Sequence, residues 1–214
     1  MLDILYFLVA LSIVILVHEA GHMIVALLCG VKVEAFSIGF GKPLFHKKIK
    51  GIDFRFTPIL VGGYTQLKGE NDKSPDGFLA QPYWKKFLIL IAGAFMNIIL
   101  AFICYWINYK SIYLEIAIDW KILTSIFQKD LLVLLLIITE YEPNLFLLQI
   151  TVISFFCGLF NLLPFPGLDG GFLWLLLLEK KIKNFKKFLK IITKIGFIAL
   201  IIFQIILIYY IYFT

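Results

Sequence analysis

The run Leu16-Val17-His18-Glu19-Ala20-Gly21-His22-Met23 sets three polar side chains inside an otherwise apolar segment that extends from about Ile4 to Leu28. Between Tyr6 and Val17 there is no charged residue at all. Such a stretch predicts an α-helix. On a helix, positions four apart share one face, so His18 and His22 can offer two imidazole nitrogens to a single metal ion. Glu19, next to the first of them, is placed to act as general base towards a water at that metal. A metal site in a soluble protein has no need of an uncharged helix around it. Counting from the start of the segment, His18 lies about 21 Å along the helix at ~1.5 Å per residue, which puts the chemistry within the depth of a bilayer.

The composition agrees with that placement. Of 214 residues, 61% are hydrophobic against about 45–50% in an ordinary soluble domain, and this predicts an integral membrane protein. The formal charge of +6 does not indicate nucleic acid, because the lysines cluster beside apolar segments, where orientation in a bilayer and contact with anionic headgroups account for them. Cys29, Cys104 and Cys157 lie within or at the ends of apolar segments without Cys-x-x-Cys spacing, and they read as small buried hydrophobes. The N-terminus has no basic run and no small-residue cleavage site, so the first helix is expected to be retained.

A spanning helix needs about 20 apolar residues. Segments from about Phe87 to Ile107, Phe146 to Leu163 and Ile195 to Tyr212 join the first as candidates. The expected fold is thus an α-helical polytopic membrane protein with three core transmembrane helices and a C-terminal fourth. Leu131 to Thr139 is too short to span and reads as an interfacial or re-entrant piece. Basic residues follow the first segment (Lys42, Lys47, Lys48, Lys50, Arg55), precede the second (Lys85, Lys86) and follow the third (Lys180 to Lys194). The positive-inside rule puts those loops in the cytoplasm and both termini outside. From Val33 to Leu67, alternating stretches such as Val33–Ile38 and Asp53–Thr57, separated by glycines, predict a small sheet associated with the membrane after the first helix. Lys180 to Lys190 reads as a basic amphipathic helix on the inner leaflet.

A catalytic zinc takes three protein ligands and keeps one position open. His46 sits among lysines and reads as a solvated loop residue. Asp169, in Asn161-Leu162-Leu163-Pro164-Phe165-Pro166-Gly167-Leu168-Asp169-Gly170-Gly171, follows a helix broken by two prolines. A carboxylate there is either a metal ligand or the N-cap of a helix starting at Gly170, and the residues alone leave both open.

These segments together resemble the site-2 protease family of intramembrane zinc metalloproteases, peptidase family M50, in a short form without a PDZ domain. His18–His22 matches the family's metal helix and Asn161–Gly171 its Asn-x-x-Pro-x-Pro-x-x-Asp-Gly-Gly element. Phe36–Lys42 is similar to its Gly-x-Gly β-element, Val61-Gly62-Gly63-Tyr64 to its Gly-Gly-Tyr turn, and Pro82–Lys86 with Ala92–Asn97 to its second core helix. The resemblance implies Zn2+ held by His18, His22 and Asp169, with Glu19 as the base. The implied substrates are transmembrane proteins or peptides, cleaved in regulated intramembrane proteolysis or in clearance of signal-peptide remnants. Strand residues within Phe36–Gly41 or Phe54–Leu67 are expected to pair with an unwound substrate, with Gly39, Gly41 and Gly63 among them. Asn97 and Asn161 are expected to bond freed backbone or the oxyanion, or else to pack between helices. Gly21 is expected to admit a neighbouring helix. The chain departs from the family in having Ala94 where Pro is usual. Asn108 to Leu145 leaves no room for a PDZ domain, so one membrane protease domain over residues 1–214 is expected, with substrate filtering of that kind either absent or done by an adaptor on another chain. A metal transporter and an inactive membrane scaffold are the alternatives; the single site without a repeat disfavours the first, and the intact ligand and base set the second.

Overall fold

A computed structural model of the chain describes residues 2–69, 74, 77–118, 144–179, 181–185, 187–196, 198, 199 and 202. Helix α1, Leu2–Leu28, contains the metal-site motif. It ends in a Schellman motif, with Val31 N–H donating to the Ala26 carbonyl at 2.9 Å and Gly30 N–H to Leu27 at 3.0 Å. Gly30 takes the left-handed conformation this ending requires (φ 79°), and Val31 folds back beside Ala26 into the core. Lys85 Nζ, from the next helix, donates to the Cys29 carbonyl at 2.9 Å and so covers the negative end of α1.

Four strands follow: β1 Val33–Phe40, β2 Phe45–Ile49, β3 Ile52–Phe56 and β4 Ile59–Leu67. They form one sheet in the order β2-β3-β1-β4, with β1 parallel to β3 and antiparallel to β4. A short 3-10 turn, Phe78–Ala80, leads into helix α2, Tyr83–Ile118. Helix α3, Leu145–Asn161, starts at Asn144, whose side chain accepts from the N–H groups of Phe146 and Leu147. After the Pro164 and Pro166 break comes α4, Asp169–Leu176.

Helices α1, α2 and α3 pack on one another, and the sheet lies against α1 through β1 and β4. One apolar cluster gathers Ala26, Val31, Leu67, Phe78, Ile89, Leu176 and Phe185, and a second gathers Ala10, Val14, Cys104 and Ile150. His18 and His22 fall between the two along α1. On α2, Phe95, Phe102 and Trp106 are all more than half exposed, as suits side chains that face lipid rather than water.

Some expectations are met in part, some fall outside the described residues, and some need correction. Among the described residues, two helices, Leu5–Leu28 and Tyr83–Tyr109, are long and apolar enough to cross a membrane, whereas Leu145–Asn161 is a shorter apolar helix. Most of the expected fourth span (Ile195 to Tyr212) and all of Leu131–Thr139 lie outside the described residues. Lys180–Lys190 is not one helix: 181–184 turn, and helical structure begins at Phe185. The reason is Phe185 itself, buried in the core cluster with Phe78 and Leu176, which draws the chain inward where a surface helix would continue. His46 lies on strand β2, not in a loop; its Nδ1 stands 3.4 Å from Asp53 Oδ1 on β3. Strand β2 is exposed throughout, and lysines on an edge strand discourage pairing with another chain. Across the sheet Arg55, Ser37 and Tyr64 lie in one row, so the Arg55 guanidinium spans the small serine to donate to the Tyr64 hydroxyl at 2.9 Å. Its Nε donates to Asp53 at 2.7 Å and holds that carboxyl below the usual range.

Candidate metal centre

The site is assembled from α1, α4, α2 and β4. His18 and His22, one turn apart on α1, turn their rings to the same side, with Nε2 atoms 3.2 Å apart. Asp169 Oδ2 completes a triangle, 3.0 Å from His18 Nε2 and 3.3 Å from His22 Nε2. Asp169 is the first residue of α4, whose N-cap position is Leu168, and its carboxylate is within hydrogen-bond distance of His18. The N-cap alternative therefore falls, because the carboxylate turns away from its own helix end towards the imidazoles. Both histidines and Glu19 are only 8% exposed.

A neutral ring that carries its proton on Nε2 can donate to its neighbour at this distance, whereas with both protons on Nδ1 the two Nε2 lone pairs and the carboxylate converge as metal ligands do. Donor atoms bound at about 2.0–2.2 Å around a tetrahedral ion stand roughly 3.3–3.5 Å apart, close to the sides of the triangle. Among the described residues, His18, His22 and Asp169 are the group of metal-ligating side chains whose donor atoms converge, all within 4.8 Å of one another. His46 is not part of it.

Glu19, next to His18 on α1, reaches towards the sheet. Thr65 Oγ1, on β4, lies 2.8 Å from Glu19 Oε2 and 3.0 Å from the Glu19 carbonyl, so one hydroxyl anchors the residue. Sequence reasoning missed Thr65. Its signal was its place two residues after Gly63, on the same face of the strand. Gly63 itself lies against α1: a Cβ there would meet Glu19 Cγ and Ile15 Cγ2, each at 2.9 Å. Gly93 was also missed as a site residue. It lies on α2 directly under both rings, where a Cβ would stand 2.8 Å from His18 Nε2 and closer still to His22 Nε2. Gly21 fits its expected role, for a Cβ there would meet the Ala92 carbonyl of α2 at 2.6 Å.

The other expected residues divide. Asn97, fully buried, reaches the centre, but its amide stands 3.2 Å from His18 Nδ1 and so lies behind a ring, away from the side that a substrate would approach. Asn161 Nδ2 donates to the Cys157 carbonyl of its own helix at 3.0 Å and is not brought to the triad. Gly39 belongs to β1, and Gly41 lies just past its end. Strand β1 is paired on both sides from Phe36 to Ile38, so an added strand has no backbone groups to bond there. Among the described residues the edge next to α1 belongs to β4. Ala94, fully buried on α2, lies against α3, its carbonyl 2.8 Å from where a Cβ on Gly158 would stand.

A family model for peptidase family M50 matches residues 6–203. The chain belongs to that family. Relatives that carry the name "putative zinc metalloprotease" align with about half of it. One from Chlamydia pneumoniae is 42% identical over 127 residues, 51% of this chain. One from Campylobacter jejuni is 44% identical over 102 residues, 44% of this chain, and one from Borreliella burgdorferi is 36% identical over 140 residues, 59% of this chain. The aligned parts make up 20%, 28% and 32% of those relatives' own lengths, so the chain spans less than a third of each. Family membership together with two membrane-capable helices makes this member of the M50 family a membrane protein.

Proposed function

We propose that the chain is a zinc-dependent endopeptidase that hydrolyses peptide bonds within or next to the membrane-spanning segments of other proteins. The observation that carries this reading is the meeting of two imidazoles from α1 with a carboxylate from α4 in a triangle of 3.0–3.3 Å sides, in a member of a peptidase family. The site would hold zinc through His18, His22 and Asp169. The ion would supply Lewis-acid polarisation of a water and of the scissile carbonyl. The remaining work belongs to the chain's own side chains. Glu19, held by Thr65, takes the proton from the attacking water and returns it to the leaving amine. A helical substrate hides its carbonyls in its own hydrogen bonds, so it must unwind before attack. The edge of β4 that pairs with no strand among the described residues offers backbone groups to such an unwound segment by strand addition.

We place the basic segments 42–55, 85–86 and 180–194 on the cytoplasmic side of the cell membrane, with both termini outside. Partners are transmembrane substrates and the bilayer, with no role for nucleic acid. The test is cleavage of a labelled single-span peptide by the protein in lipid vesicles. Turnover should stop with a zinc chelator and return when zinc is restored. Turnover indifferent to the chelator would exclude the metal mechanism.

A second prediction concerns Gly93. Adding one methyl group in Gly93→Ala drives both rings out of line, because backbone on α2 cannot yield as a flexible side chain would. Zinc affinity, measured by competition with a chromophoric chelator, should fall roughly 10–100-fold, the range seen when the support of a metal ligand is disturbed.

A further inference from the structure

We infer that Asn97 is a positioning residue that selects the ring nitrogen His18 presents to the metal, by accepting the Nδ1 proton on its side-chain oxygen. The inference rests on the metal-site reading above. A histidine that ligates through Nε2 must carry its proton on Nδ1, and that N–H needs an acceptor. For His22 the acceptor is plain: the Ile89 carbonyl of α2 lies 2.7 Å from Nδ1. A carbonyl can only accept, so it fixes the proton there and leaves the Nε2 lone pair towards the site.

His18 has no carbonyl in that position. Farther along the same helix, the Asn97 amide stands 3.2 Å from its Nδ1. An amide can serve this nitrogen in two ways. With Nδ2 towards the ring, Asn97 donates, the His18 proton moves to Nε2, and the ring cannot ligate. In that orientation Asn97 Oδ1 is buried and without a hydrogen-bond partner among the described residues. Turning the amide over exchanges its nitrogen and oxygen without moving the backbone. Oδ1 then accepts from His18 Nδ1, and Nε2 is free to bind.

The surroundings hold the rest of Asn97 still. The residue is fully buried. Ser154 Oγ donates to its backbone carbonyl at 2.8 Å, and Gly158 lets α3 come in beside its Cβ. Helix α2 thus sets the tautomer of both imidazoles, one through a fixed carbonyl and one through an amide able to turn.

The experiment compares wild type, Asn97→Asp and Asn97→Leu, purified in lipid nanodiscs. Zinc affinity is read by competition with a chromophoric chelator, beside thermal unfolding of each metal-free protein. Asp keeps an acceptor for the Nδ1 proton and should stay within a few-fold of wild type. Leu has similar bulk and no acceptor, and should bind zinc roughly 10–100-fold more weakly. Should the Leu variant fail to fold, Asn97→Ala takes its place with the same expectation. Wild-type affinity in the Leu or Ala variant overturns the inference. So does equal weakening in Leu and Asp, which would assign Asn97 to packing alone. If wild type itself binds no zinc, the metal-site reading fails, and the inference with it; the wild-type arm separates that case from the others.

Discussion

Turnover of a membrane-embedded peptide is expected to fall roughly 10²–10⁴-fold in Glu19→Gln, the usual worth of a positioned general base, while bound zinc stays at the wild-type level. Gln preserves the shape of the side chain and an oxygen for the Thr65 hydroxyl, which lies 2.8 Å from Glu19 Oε2. What it removes is the capacity to take a proton. Glu19 belongs to no side of the ligand triangle, so the metal count should not change. Single-turnover cleavage of a labelled peptide, paired with metal analysis of the same preparation, checks both halves. Equal turnover in the two proteins would remove Glu19 from the chemistry. Loss of zinc together with turnover would instead assign Glu19 to the ligand set.

Asp169→Ala should act in the opposite manner. It removes the one anionic donor of the triangle, leaving two neutral imidazoles. Zinc retention should drop by more than about 100-fold, beyond the range typical of a residue that only supports a ligand. Helix α4 should survive. A carboxylate in the first turn of a helix contributes only about 0.3–1 kcal/mol through the dipole, and the N-cap position belongs to Leu168 rather than to Asp169. The thermal midpoint of the metal-free protein should therefore shift little, while the zinc-dependent rise in that midpoint disappears. A large fall in metal-free stability would show that Asp169 serves the fold first. The ion pair of Lys86 with Glu179 (2.7 Å), just past α4, ties that end of the segment to α2 in either case.

Where function and local geometry impose a spacing, the chain could be read directly. The four-residue interval from His18 to His22 follows from helical periodicity. The prolines before Asp169 announce a broken helix, and the Val33–Leu67 region declares itself through alternation and glycines. Strand β2 could not be read in this way. It lies at an edge with both faces exposed, so Phe45, Lys47 and Ile49 carry no buried periodicity, and the lysines look like a loop. Thr65 and Gly93 were hidden for another reason. Each matters because of what faces it from a distant element, Glu19 on α1 for one and two rings for the other, and no pattern within their own segments records that partner. Asn97 was legible as a polar residue in an apolar helix, yet its direction was not: only the crossing of α1 and α2 puts it behind His18. The inner end of the Lys180–Lys190 stretch was misjudged because one aromatic, Phe185, outweighs the lysines around it once a core is near enough to bury it.

X-ray absorption at the zinc edge, on protein loaded with the metal in lipid, reports the donor atoms themselves. Two imidazoles and one carboxylate oxygen at about 2.0–2.2 Å, with the imidazole signal reduced to that of one ring in His22→Ala or in His18→Ala, is the expected spectrum. A sulfur shell at about 2.3 Å, or a shell of oxygen without imidazole, would contradict the joining of α1 and α4 through one ion.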